Sequence, residues 1–137
     1  MYTSMIFLFA LVGSSFAGIV DFKPCEGSVN VPQVVLIDGC ESFSCDLSVG
    51  QTVNVQLEFV SPSNAATVQA VSKVGQESST AQACGNGLNC PLQAGEYYVH
   101  KGSFTVGKSS VSSKSMTYQL KSEDQTLVCF TFPITVA

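Results

Sequence analysis

The chain has 137 residues, 45% hydrophobic and 12% charged, a length that fits one domain of about 100–150 residues and excludes a multidomain machine. Six Lys, no Arg and ten acidic residues give a net charge of −4, with no basic run anywhere. Nucleic-acid binding, which needs a phosphate-neutralising patch, is not expected, nor is a lasting electrostatic hold on anionic lipid.

The apolar residues are unevenly spread. Twelve of the first 17 residues are apolar, and in the remaining 120 the fraction falls to about 42%, an ordinary value. The run Met5-Ile6-Phe7-Leu8-Phe9-Ala10-Leu11-Val12, followed by Gly13-Ser14-Ser15-Phe16-Ala17, has the apolar core and small-residue exit of a secretory signal peptide, although no Lys or Arg precedes it. Residues 1–17 are therefore expected to be a signal peptide cut after Ala17, leaving 18–137 as the mature domain in an oxidising, secreted or lumenal compartment. A membrane anchor would need about 20 apolar residues.

Beyond residue 17 the pattern is alternation or short apolar runs rich in Val, Phe, Tyr and Thr, broken by Gly, Ser, Asn and Pro, which reads as all-β. A short edge strand is expected around 20–23, then a strand over 34–37. After the turn Ser48-Val49-Gly50-Gln51, Val53, Val55, Leu57 and Phe59 alternate with Thr52, Asn54, Gln56 and Glu58, so four apolar side chains share one face. The turn Ser61-Pro62-Ser63-Asn64 precedes a strand over 67–74. Tyr98, His100, Gly102, Phe104 and Val106 share a face in the next strand, and the serine-rich stretch 107–115 is a loop. Met116, Tyr118 and Leu120 share a face in one strand of a final hairpin, turned at 122–125, and Val128, Phe130, Phe132, Ile134 and Val136 share a face in the other. About seven strands with regular turns imply an antiparallel two-sheet sandwich.

Six cysteines, Cys25, Cys40, Cys45, Cys84, Cys90 and Cys129, follow the expected cut, and in an oxidising compartment their default is three disulfides. Fifteen connectivities are possible. Spacing favours the local pairs Cys40 with Cys45 and Cys84 with Cys90, which leaves Cys25 with Cys129. The competing reading, a structural zinc site, is disfavoured because the spacings are not two-residue knuckles and the one histidine, His100, is near no cysteine in sequence.

Catalysis has little to work with. His100 falls mid-strand on the face of Phe104 and Val106, as a packed or pocket-rim residue rather than a general base. Asp38, Glu41, Asp46 and Glu96 read as solvated charges rather than a glycosidase pair, and disulfides leave no thiol nucleophile. Gly85-Asn86-Gly87 lacks the Lys and helix of a phosphate loop. No enzyme and no cofactor is expected. Periodicity alone favours inner faces that simply pack on each other.

Four segments carry a resemblance: Phe22-Lys23-Pro24-Cys25-Glu26-Gly27-Ser28; Cys40-x4-Cys45-Asp46-Leu47-Ser48-Val49-Gly50-Gln51; Cys84-Gly85-Asn86-Gly87-Leu88-Asn89-Cys90-Pro91-Leu92; and Leu127-Val128-Cys129-Phe130 leading to Pro133-Ile134. Over residues 19–136 they closely resemble the ML lipid-recognition family, nearest its small lumenal sterol carriers of the Niemann-Pick type C system, and more distantly the group-two mite allergens. The resemblance implies an immunoglobulin-like sandwich with the disulfides paired as above, whose sheets splay to hold one hydrophobic molecule. By position, Ile37 corresponds to a residue lining the family's sterol tunnel. Phe104 and Val106 fall on the strand leading to its mouth, and Tyr98 and Tyr118 are aromatic positions of the same cavity. Val55, Leu57 and Phe59 are added from alternation.

The function this implies is carriage and transfer of a sterol by a monomer, secreted or in the endosomal or lysosomal lumen, with transient contact to a membrane or membrane protein. The alternative is chemosensory or immune recognition of fatty acids, semiochemicals or microbial lipids. Two departures bear on the ligand: the carriers' longer proline-rich entrance loop is replaced by the short polar stretch 75–83, and their Tyr-Pro pair by Ser110 and Val111. No Asn-x-Ser/Thr sequon occurs.

Overall fold

A computed structural model of the chain describes residues 18–25, 30–40, 45–85, 88–108, 111–112, 114–123 and 125–137. The expected signal segment 1–17, and Ser110 at the expected mouth, lie outside them. The strands are β1 (Gly18–Ile19), β2 (Lys23–Pro24), β3 (Val34–Ile37), β4 (Cys45–Leu47), β5 (Thr52–Val60), β6 (Gln69–Val74), β7 (Glu77–Gln82), β8 (Tyr97–Thr105), β9 (Ser115–Ser122) and β10 (Gln125–Val136). One sheet runs β1-β3-β5-β8; the other runs β2-β10-β9-β6-β7, with β4 added beside β10. The protein is thus an all-β, immunoglobulin-like sandwich.

Alternation decides which faces meet. In β5 the burial pattern places Val53, Val55, Leu57 and Phe59 inside and Thr52, Asn54 and Val60 outside. Nine residue pairs join β5 to β8, among them Val53 with Phe104, Val55 with Gly102, Leu57 with His100 and Phe59 with Tyr98. On the opposing sheet Met116, Tyr118, Leu120, Phe130 and Phe132 are fully buried. A bulge between Thr126 and Val128 puts one extra residue into β10, and Leu127, Val128, Cys129 and Phe130 are all buried before alternation resumes at Thr131.

Three elements differ from the sequence reading. The expected edge strand at 20–23 is two short strands in different sheets, β1 on β3 and β2 on β10. β4 pairs parallel to β10, Cys45 beside Ile134 and Leu47 beside Val136, whereas the expectation was wholly antiparallel. The polar stretch 75–83 is not a loop: Gly75, at φ +61°, turns a hairpin, and β7 pairs along all of β6. Its sequence Glu-Ser-Ser-Thr-Ala-Gln lacks an apolar alternation, yet backbone pairing with a strand already seated in a sheet suffices to hold it.

The disulfides join Cys25 to Cys129, Cys40 to Cys45 and Cys84 to Cys90, leaving no free cysteine for a metal. The first spans 104 residues of sequence and ties the end of β2 to the middle of β10, where Cys25 N–H also donates to the Cys129 carbonyl at 3.4 Å. Chain-entropy arguments give a loop of this length about 4.7 kcal/mol, against about 2 kcal/mol for either short loop. Replacing Cys25 and Cys129 together by Ala should therefore lower the free energy of unfolding, measured by denaturant titration, at least twice as much as replacing Cys40 and Cys45.

Candidate functional site: a cavity between the sheets

The inner faces are not uniformly filled. Where β6 and β7 pair, the facing residues are small: Ala70 opposite Ala81 and Ser72 opposite Ser79. On the other sheet the same region presents Gly102 in the middle of β8, opposite Val55. Small residues on both walls leave a space that neighbouring large side chains do not reach, and a cavity of about 500 Å³ lies there. That volume is within the range of about 300–1,000 Å³ usual for small-ligand sites. Every residue of β7 is exposed, including Ser79 and Ala81, which border the cavity, so β7 is an open wall rather than part of the closed core. Leu36, Asn54, Gln56, Lys101 and Ser103 border it from the outward-facing positions of β3, β5 and β8, with Asp38 just beyond β3, so the cavity is open to solvent on that side as well.

His100 and Tyr118 form its polar feature. His100 is 1% exposed, and its Nε2 is 2.8 Å from the Tyr118 hydroxyl. The rings are tilted with centroids 5.9 Å apart, and Tyr118 in turn lies 6.0 Å from Phe130. A Cβ on Gly102 would run into the Tyr118 hydroxyl and the His100 ring, so glycine at this position is what lets the two rings meet across the gap. Among the described residues, His100 Nδ1 is the buried side-chain polar atom without a hydrogen-bond partner. The hydroxyls of Ser72 and Ser79, by contrast, lie 3.0 Å from each other. Burial pushes the His100 imidazole down to about 4 and raises the Tyr118 phenol, because both charged forms are disfavoured away from water. No group of three His, Cys, Asp or Glu side chains among the described residues gathers as a metal site.

Of the eight residues expected at the guest, Val55 and Tyr118 border the cavity. Ile37, Leu57 and Phe59 are at 0% exposure, and Phe104 and Val106 are buried; all five belong to the hydrophobic core cluster and are not among the residues bordering the cavity. Tyr98 is half-buried, its ring 6.0 Å from that of Phe59 and its hydroxyl accepting from Gln93 N–H at 2.8 Å. Val111 is exposed. Ala70, Ser72, Ser79, Ala81 and Gly102 border the cavity although alternation and the family resemblance do not mark them as guest-contacting. The signal that could have found them is small residues at inward positions of neighbouring strands, with a mid-strand glycine as its plainest instance.

A family model described as the ML domain matches residues 19–136. The chain belongs to the ML-domain family. Among curated relatives of this ML domain, the mouse protein named NPC intracellular cholesterol transporter 2 is 28% identical, over 96% of this chain and 94% of its own. The pig protein of that name is 26% identical, over 94% and 93%. Among solved structures, a Niemann-Pick type C2 protein from the Japanese carpenter ant superposes with a TM-score of 0.66 at 17% identity, covering 85% of this chain and 99% of that one, a likeness of fold.

The buried histidine has a consequence for the stability of this ML domain. With its pKa near 4 folded and about 6.5 unfolded, the unfolded chain binds more protons between those values, so stability falls as pH falls from 6.5 towards 4. From pH 7 to pH 5 the loss attributable to His100 should be about 2 kcal/mol, lowering the melting temperature by several degrees. In His100→Gln, which has no titrating group at that position, this part of the pH dependence should vanish.

Proposed function

We propose that this protein is a secreted or lumenal lipid carrier that binds one sterol-like molecule between its two sheets and releases it by diffusion, without covalent chemistry. The observation that carries the reading is the open cavity of about 500 Å³ bordered by residues of β3, β5 and β8 from one sheet and of β6, β7 and β9 from the other, in a chain whose relatives include the mouse and pig cholesterol transporters. Burial of apolar guest surface, at about 25 cal/mol per Å² removed from water, supplies the affinity. The exposed β7 wall supports entry on that side. Because Ile37, Leu57 and Phe59 are closely packed behind the cavity, a guest longer than the cavity extends by parting the sheets there. The proposal includes removal of residues 1–17 as a signal peptide, action of residues 18–137 as a monomer, and brief contact with a membrane when lipid is handed over.

The test leaves the core untouched. Ser79 and Ala81 border the cavity from an exposed strand, so Ser79→Phe and Ala81→Phe place bulk in the cavity without displacing packed side chains. Each should weaken binding of dehydroergosterol, a fluorescent sterol, by about tenfold or more while leaving the melting temperature within a few degrees of the wild type. Unchanged binding in both variants would overturn this cavity as the site. Native mass spectrometry of protein purified from its source should show a single sterol-mass adduct. A fatty acid or semiochemical adduct would favour recognition over transport, and no adduct in any preparation would favour a filled core.

A further inference from the structure

We propose that the Cys84–Cys90 disulfide is a redox-sensitive latch on the cavity wall: it holds the end of β7 in place, and a dithiol reductant opens it before the other two bonds. The latch is a property of β7 itself; that its opening speeds guest release rests on the carrier reading above.

β7 is held at few points. One edge pairs with β6, and Gly75 turns the hairpin that leads into it. All six of its residues are exposed, so side-chain burial contributes little to keeping it in place. At its far end the buried Ala83 donates its N–H to the Val68 carbonyl at 2.9 Å, and Cys84 follows at once. The bond to Cys90 ties that point to a segment anchored in the core. Leu88 and Leu92 are buried there, and Leu92 exchanges two backbone hydrogen bonds with Ala65, at 2.7 and 3.1 Å. Ser79, Ala81 and Gln82 of β7 border the cavity, and Gln82 Oε1 accepts from Cys84 N–H at 3.4 Å. The covalent anchor thus stands next but one to a cavity-lining residue.

The three disulfides are not equally open to attack. Cys40 and Cys45 are 5% and 2% exposed, and Cys129 is 5% exposed, whereas Cys84 and Cys90 are both half-buried. Theirs is the bond in which neither cysteine is sealed in the core; in the third, a half-buried Cys25 is joined to buried Cys129. Disulfides exchange by attack of a thiolate on one sulfur, so access decides which bond goes first. The Cys25–Cys129 bond is protected a second way: it spans 104 residues, and the bond closing the longest loop adds most to the fold and resists reduction accordingly. The step balances. One thiolate of the dithiol attacks, forms a mixed disulfide and expels one cysteine thiolate; the second thiolate then attacks the mixed disulfide and expels the other. The two cysteine thiolates take up the two protons that the dithiol gives up, and the reductant leaves as a cyclic disulfide.

A matched pair of variants isolates the latch. Cys84→Ser with Cys90→Ser, and Cys40→Ser with Cys45→Ser, each open one short loop, of sequence separation 6 and 5, so the chain entropy released is similar. The first adjoins β7; the second adjoins β4, beside β10. Hydrogen–deuterium exchange of the guest-free protein should quicken at 77–82 by about tenfold in the first variant only, within the roughly thirtyfold by which so short a loop restricts an open state. Exchange in β5 and β8 should not change, and dissociation of dehydroergosterol should speed by a similar factor. In the wild type, stepwise dithiothreitol followed by iodoacetamide and peptide mass spectrometry should label Cys84 and Cys90 before any other cysteine, a test that stands if the variant does not fold. First labelling elsewhere, or equal change at 77–82 in both variants or in neither, would overturn the latch. Quickened exchange with unchanged sterol dissociation would overturn its part in guest release. Quickened exchange in a protein whose wild type binds no dehydroergosterol would support the latch and overturn the sterol-carrier reading.

Discussion

What the structure does with its interior depends on the sizes of side chains at paired inward positions. A sandwich whose inner faces both carry large residues closes, because interiors pack to crystal-like density. Here one part of the interior follows that rule, with Leu57, Phe59, Phe130, Phe132 and Met116 fully buried. The adjoining part breaks it, because alanine meets alanine and serine meets serine across β6 and β7 and Gly102 stands opposite Val55. The same number of strands could have made a solid core; five small residues make a container.

The container needs a frame that does not collapse to fill it. β10 is the spine of that frame, pairing along its length with β9, β2 and β4, and the Cys25–Cys129 bond locks the beginning of the fold to it. β5 and β8, joined by nine pairs, form the stiff opposing wall. Lost contacts around a void are then borne by a scaffold held together by disulfides and by two long strand pairs.

Much of the fold was legible in the sequence for physical reasons. Strict alternation over 52–59 can only make a half-buried strand, and the local cysteine spacings leave few sensible pairings. Other parts were hidden. β4 has three residues, too few for a period, and it is held by β10 rather than by its own pattern. β7 has no apolar face, so nothing in its residues separates it from a loop. The cavity was the least visible feature: alternation marks a face as inward without saying whether the opposite wall is near. Val55 and Leu57 look alike in the sequence, yet one borders the cavity and the other, two residues on, is sealed in the core. The family resemblance pointed to a hollow interior, but its walls are assembled from Ala, Ser and Gly, residue types that a search for lipid contacts passes over.

The exposed strand β7 ties occupancy to folding. It is attached along one edge to β6 and all six of its residues are exposed, so no closed layer of side chains covers it. A molecule lodged in the cavity supplies the missing layer. Guest binding is then also completion of the second sheet, and any ligand that prefers the filled form stabilises it in proportion to the logarithm of its concentration over its dissociation constant. An empty protein of this design is correspondingly less finished than a loaded one, and the two differ first at β7, the exposed strand bordering the cavity.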